Sequence, residues 1–285
     1  MTDATSASPT APADPSAGED GAVVTAALLV IGNEVLSGRT RDANVQVFAK
    51  TLGARGVRLK EVRMVADDKA AIIDAVNALR AANDYVFTTG GIGPTHDDIT
   101  TDCVAEAFGR AVELNAEAER RLRHHYGSET INDARLRMAR IPAGAELVDN
   151  PVSHAPGFRL GNVFVMAGVP RIAQAMLDTV KDGLRGGAPV HSRAVTAYIR
   201  EGDIAEPLGA IQERFPAVEI GSYPFVRGER LGTSVVARCT DATLAEAVVA
   251  DVANAMRAAG ADPNDAEGFD PQSGAVAAFH DGDES

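Results

Sequence analysis

A chain of 285 residues, 45% of them apolar, has room for one large globular domain or a main domain with a smaller companion. No apolar run approaches the roughly 20 residues of a membrane span, and two distant cysteines, Cys103 and Cys239, make neither a disulfide framework nor a zinc ligand set. The net charge of −13 sits almost wholly at the two ends, which carry Asp and Glu but no Lys or Arg, so it speaks to solubility; without a basic face the chain is not expected to bind nucleic acid.

Residues 1–22 are rich in Ala, Pro, Ser, Thr and Asp and read as a disordered tail. They lack the basic-then-apolar layout of a signal peptide, which implies residence in the cytoplasm. Val23–Ile31 is an apolar, β-prone run ending in Gly32-Asn33-Glu34. Val45, Phe48, Ala49 and Leu52 then recur at helical spacing until Gly53 or Gly56. Val57–Val65 reads as a strand, and Asp67-Asp68 precedes a second helix through Ile72, Ala75, Val76 and Leu79. The short strand Tyr85–Thr89 runs straight into Gly90-Gly91-Ile92-Gly93-Pro94, and a third helix is expected from about Asp98 to Phe108. This alternation predicts a parallel sheet with crossover helices, whose ligands bind beyond the carboxyl ends of the strands.

Further on, Phe158–Leu160 and Val163–Met166 flank Gly161-Asn162 as a hairpin, and a helix follows Gly168-Val169-Pro170. Gly183, Gly186, Gly187 and Pro189 mark a linker. The next segment reads as strand (194–199), helix (205–215), strand (218–223), strand (233–238) and helix (242–258), a small α+β unit. The expected division is 1–22 tail, 23–188 main domain, 189–260 small domain and 261–285 disordered acidic tail.

The loop Thr89, Gly90, Gly91, Gly93, Pro94, Thr95 carries the first functional expectation. Glycines let backbone approach a ligand closely, and the following helix N-terminus suits phosphate. It is neither a Walker loop nor G-x-G-x-x-G. Thr95 and Asp98 have capping-box spacing, so Asp98 is read either as a helix cap or as a metal ligand. Asp97 and Asp98 beside a phosphate would repel it unless a hard divalent cation bridged them; Asp67 and Glu34, at neighbouring strand ends, could complete an oxygen-rich shell. Cys103, within the third helix, is expected to be buried and inert. His154 is a loop histidine with no defined partner, Arg120, Arg121 and Arg123 flank His124-His125 on a helix as a solvated basic face, and Arg135, Arg137 and Arg140 form a second basic cluster that could meet a phosphate or an oligomer partner.

Five motifs in order carry a resemblance: Ile31-Gly32-Asn33-Glu34-Val35-Leu36-Ser37-Gly38, Asp42-Ala43-Asn44, the Thr89–Thr100 loop, Asn150-Pro151 through Pro156-Gly157-Phe158, and Gly168-Val169-Pro170. Together, from about residue 26 to 184, they resemble the MoaB/Mog-like molybdopterin-binding domain as it occurs in the N-terminal part of CinA, a domain also similar to one attached to eukaryotic FAD synthases. The later unit, through Ser222-Tyr223-Pro224-Phe225 and Thr233-Ser234-Val235-Val236, is similar to the KH-like middle domain of CinA; it shows no Gly-x-x-Gly clamp. The resemblance implies a three-layer α/β sandwich with a mainly parallel sheet plus a small α+β domain. It implies a nucleotide or pterin ligand, with Gly32, Asn33, Asn44, Pro156, Gly157, Gly168 and Pro170 joining the Gly90 loop around it, and Asp67 and Asp98 as the catalytic pair.

The activity implied is a metal-dependent pyrophosphatase on ADP-ribose or FAD-like dinucleotides, with Mg²⁺, Mn²⁺ or Co²⁺. The alternatives are a molybdopterin-binding or adenylylating protein and a non-catalytic binding module. Relatives assemble as dimers or trimers, which implies a homo-oligomer. His96 stands where CinA proteins often carry Lys, and Met138 where they usually carry Gln. Full-length CinA continues into a deamidase domain that this chain is expected to lack, so nicotinamide-nucleotide deamidation is not expected.

Overall fold

The computed structural model describes residues 23–127 and 131–263. The expectations for residues 1–22, and for the acidic tail from 264 onward, lie outside the described residues. In chain order the elements are β1 (Val24–Ile31), α1 (Asn33–Leu36), α2 (Asn44–Ala54), β2 (Val57–Val65), α3 (Lys69–Ala82), β3 (Tyr85–Thr89), α4 (Thr100–Ala107), β4 (Val112–Leu114), α5 (Ala116–Tyr126), α6 (Asp133–Leu136), β5 (Arg140–Pro142), β6 (Glu146–Val148), β7 (Gly157–Leu160), β8 (Val163–Met166) and α7 (Pro170–Val180). They are followed by β9 (His191–Ala197), α8 (Glu201–Arg214), β10 (Glu219–Arg227), β11 (Arg230–Cys239) and α9 (Ala242–Ala258). The chain divides between Ala188 and Pro189 into two compact units.

In the first unit six strands form one sheet in the order β2-β1-β3-β8-β7-β6. β1 pairs parallel with β2 and β3, and β3 parallel with β8; β7 and β6 follow antiparallel. The near-continuous apolar run of β1 is what a strand covered on both faces requires. Its Ala27, Leu29 and Ile31 pack with Ile72, Val76 and Leu79 of α3, Val104 of α4 and Leu122 of α5. Its Leu28 and Val30 pack with Phe48 and Leu52 of α2 and Met176 and Leu177 of α7. Helices on both faces of a mainly parallel sheet give the expected three layers. At the edge, β2 has only Val57 buried and carries Arg58, Lys60, Glu61 and Arg63, charges that suit an unpaired strand edge.

α4 begins two residues later than the spacing implies. Thr100 is fully buried and spends its N–H on Gly91 O (3.0 Å) and its hydroxyl on Gly90 O (3.0 Å), so the helix starts only where the loop has closed. Its cap is Ile99, with no side-chain hydrogen bond, so Asp98 does not cap it.

The second unit is an antiparallel sheet in the order β10-β11-β9, backed by α8 and α9 around Ala197, Ile204, Ile211, Val235, Val248, Val252 and Met256. The β-α-β-β-α order is the expected one. α8 starts a turn earlier than Ala205 and carries Pro207 inside it. No helix among the described residues is long and apolar enough to cross a membrane.

Candidate functional site

Register aligns four strand ends on one edge of the first sheet. Ile31 stands opposite Val65, Val30 opposite Thr89, and Thr89 opposite Met166. Gly32, Asp67, Gly90 and Gly168 therefore follow β1, β2, β3 and β8 side by side, beyond the carboxyl ends. Gly90 takes φ +106°, and a Cβ there would meet Ile31 O at 2.0 Å; Gly91 takes φ +68°, and a Cβ would meet Thr100 Oγ1 at 2.1 Å. Only glycine fits either position. Gly90 N–H donates to Met166 O (3.2 Å), which fastens the loop to β8. Among the described residues the N–H groups of Gly91, Ile92 and Gly93 have no acceptor, so three successive donors stand unclaimed. The hydroxyls of Thr88 and Thr89, buried at the end of β3, also lack a partner. Successive unclaimed N–H groups in a glycine turn are an anion-binding concavity.

The carboxylates are distributed differently from the expectation. Asp67 Oδ2 accepts the Asn33 N–H (2.9 Å) and so ties the end of β2 to the start of α1. Asp98 Oδ2 accepts both the N–H (2.8 Å) and the hydroxyl (2.5 Å) of Thr95. Thr95, expected to contact ligand, therefore has its donors committed and instead orients Asp98. The Glu34 carboxylate folds back over Gly32, where an added Cβ would lie 2.6 Å from Oε1. Among the described residues no three His, Cys, Asp or Glu side chains gather closely enough to hold a metal. The four-carboxylate shell of Glu34, Asp67, Asp97 and Asp98 is thus not assembled: Asp67 is engaged with the Asn33 N–H, Glu34 lies over Gly32 and Asp98 is engaged with Thr95.

Other expected residues divide into supporting and lining roles. Asn44 is buried and donates through Nδ2 to Gly168 O (2.9 Å), holding α2 against the turn before α7. Gly168 packs on Gly90, with Gly90 Cα 3.1 Å from where a Cβ would be, and Pro170 begins α7. Gly157 is buried, and a Cβ there would lie 2.1 Å from Val165 O and 2.5 Å from Met176 Cε, so its packing against β8 and α7 requires glycine. Pro156 does face a cavity, in company with Ile92, Gly93, Asp98, Asp102, Arg137, Met138, Arg140 and Phe158. Asn150 organises the loop before it, donating to Ala155 O (2.8 Å) and accepting from the N–H groups of Val152 and Ser153.

The basic residues prove mostly spent. Arg120 and Arg121 pair with Glu117 at 2.7 Å, Arg123 with Glu119 at 2.7 Å, and Arg121 also with Asp149. Arg135 lies 4.3 Å from the Tyr126 ring and Arg140 pairs with Asp102 at 3.0 Å. His154, at φ 60°, has a partner after all, the ring of His125 at 4.7 Å. Cys103 is 2% exposed, and burial pushes its thiol up to about 11, so it stays neutral and inert as expected.

Comparison with known proteins identifies the family of the first unit and a match for the second. Residues 27–185 match the family described as "Probable molybdopterin binding domain", and residues 189–265 match "FAD synthase, middle domain". The chain is 33% identical to a CinA-like protein of Desulfosudis oleivorans, over 69% of this chain and 51% of that one. It is 30% identical to a "Probable FAD synthase" of Caenorhabditis briggsae, over 79% of this chain and 48% of that one. The chain thus spans about half the length of these two relatives. The crystal structure of the CinA protein from Thermoplasma acidophilum is similar at a TM-score of 0.53 and 31% identity, covering 56% of this chain and 96% of that one. The resemblance read from the five motifs holds. The second unit, set by its motifs beside the middle domain of CinA, matches the FAD synthase middle domain.

Proposed function

We propose, given that the chain belongs to the molybdopterin-binding domain family, that its Gly90 loop holds the diphosphate of a nucleotide or pterin ligand and that the protein hydrolyses that diphosphate with the help of a divalent cation. The observation that carries this reading is the run of unclaimed N–H groups at Gly91, Ile92 and Gly93, closed by Thr100 at the carboxyl end of β3. Such donors favour phosphoryl oxygens, and more so the charge that builds on them in the transition state.

The donor set fits a small hard cation of the Mg²⁺, Mn²⁺ or Co²⁺ kind. Such ions are commonly held by one or two carboxylates, with substrate phosphates and water completing the shell. Asp98 and its neighbour Asp97 would be those carboxylates, and Thr95 fixes the orientation of the first. Bound there, a cation would supply charge neutralisation and a more acidic water. Asp67 acts at one remove, holding the Asn33 turn beside the loop. FAD and ADP-ribose are the substrates to try first, since the similarity to FAD synthases covers both units. Incubating the pure protein with each, under Mg²⁺, Mn²⁺ and Co²⁺, should release a nucleoside monophosphate; no release under any of the three removes the hydrolase reading.

The family description favours one further ligand, molybdopterin. Pterin fluorescence copurifying with the protein, together with ATP consumption, would select that reading instead.

A further inference from the structure

Three arginines of one segment, Arg135, Arg137 and Arg140, look alike in the sequence, and the fold separates them. The Arg135 guanidinium lies over the Tyr126 ring at 4.3 Å, and that of Arg140 is held by Asp102 at 3.0 Å. Arg137 is exposed and makes no ion pair or hydrogen bond through its side chain among the described residues. It nevertheless lines the same cavity as Gly93 and Asp98.

Its position is fixed from behind. Arg137 opens the 3-10 turn Arg137–Ala139; Ala139 is fully buried, its carbonyl accepts the Asn115 N–H (2.9 Å), and Met138 packs on the core under α3, α4 and α5. The backbone is anchored while the guanidinium is left over at the rim. Its charge also matters to the balance of the cavity. Asp98 and Asp102 bring two negative charges, and Arg140 answers Asp102. Without Arg137 an incoming diphosphate would meet an uncompensated Asp98.

We propose that Arg137 is a ligand-contacting residue: its guanidinium takes a non-bridging oxygen of the phosphoryl group whose other oxygens face the Gly91–Gly93 N–H groups. A planar guanidinium suits that contact better than an ammonium does. The inference rests on the proposed phosphate binding at the Gly90 loop and adds a consequence to it. Diphosphate binding then requires no divalent cation, because Arg137 offsets Asp98 and leaves the Gly91–Gly93 N–H groups open to the anion; the cation is needed for turnover.

The test is calorimetric titration of the full chain with inorganic pyrophosphate and with ADP-ribose, in EDTA and again with Mg²⁺. Wild type should bind in EDTA. Arg137→Met should weaken that binding about tenfold or more, the usual effect of deleting a charge-assisted hydrogen bond. Arg137→Lys should recover part of it. Arg110→Met, beyond the far end of α4, should leave it unchanged, which separates a specific contact from a general loss of charge. An unaltered thermal midpoint for Arg137→Met excludes a folding defect. Equal binding by wild type and Arg137→Met, or wild-type binding only with Mg²⁺, overturns the role of Arg137 while leaving the reading of the loop in place. No binding by wild type under either condition overturns both.

Discussion

At the scale of single residues, Thr100 and the glycines it closes upon decide whether an anion site exists. Thr100 reaches two carbonyls of the loop, and this draws Gly91 so near that a methyl group would sit 2.1 Å from its hydroxyl oxygen. Gly91→Ala should therefore lower stability by about 1–3 kcal/mol in urea unfolding, from overpacking and a positive φ together. It should weaken pyrophosphate binding about tenfold or more as the three N–H groups turn away. Unchanged binding in a destabilised Gly91→Ala protein would separate the loop from the ligand. The glycine loop was legible because its chemistry is local: three glycines, a threonine and two aspartates follow one strand. The fate of each aspartate was not. Asp98 and Thr95 showed the spacing of a helix cap, but the helix begins after them, and only the closed loop reveals that their bond orients a carboxylate. Arg137 was equally hidden, since nothing in its neighbours distinguishes it from Arg135 and Arg140.

Elements were readable where they are long or continuously apolar. The bounds of β2, β3 and α9 coincide with the expected ones because period and turn residues agree there. The strands β4, β5 and β6 and the helix α6 have three or four residues each, too few to show a period, and were not read. At the opposite edge of the sheet from the loop, Asp84 joins elements distant in sequence. It accepts the N–H (2.8 Å) and hydroxyl (3.0 Å) of Thr25 at the start of β1 and pairs with Arg185 at 2.8 Å. Burial works to raise the Asp84 carboxyl, but the Thr25 hydrogen bonds and Arg185 outweigh it and hold it below its ordinary value. Its contribution to stability is present above the unfolded-state pKa and is lost as pH falls through the lower, folded-state value. Asp84→Ala should cost about 1–2 kcal/mol at pH 7, part exposure trimming the effect. The difference from wild type should shrink as pH drops below about 4. A gap that stayed constant down to acid pH would show that the carboxylate charge contributes nothing.

For the molecule as a whole, the division at Ala188 and Pro189 gives two units, each with its own apolar core. The family match divides at nearly the same place, with the molybdopterin-binding part ending at 185 and the FAD synthase middle part beginning at 189. That both units are globular was visible in the linker glycines and in the change from parallel to β-α-β-β-α patterning. The side-by-side placement of Gly32, Asp67, Gly90 and Gly168 rests on tertiary register, since four strand ends must line up first. The decisive measurement is a crystal structure of the full chain grown with ADP-ribose and Mg²⁺. Diphosphate density is expected against the Gly91, Ile92 and Gly93 N–H groups, with Arg137 turned onto it and the cation at Asp98. Density in the second unit, with nothing at the Gly90 loop, would contradict it.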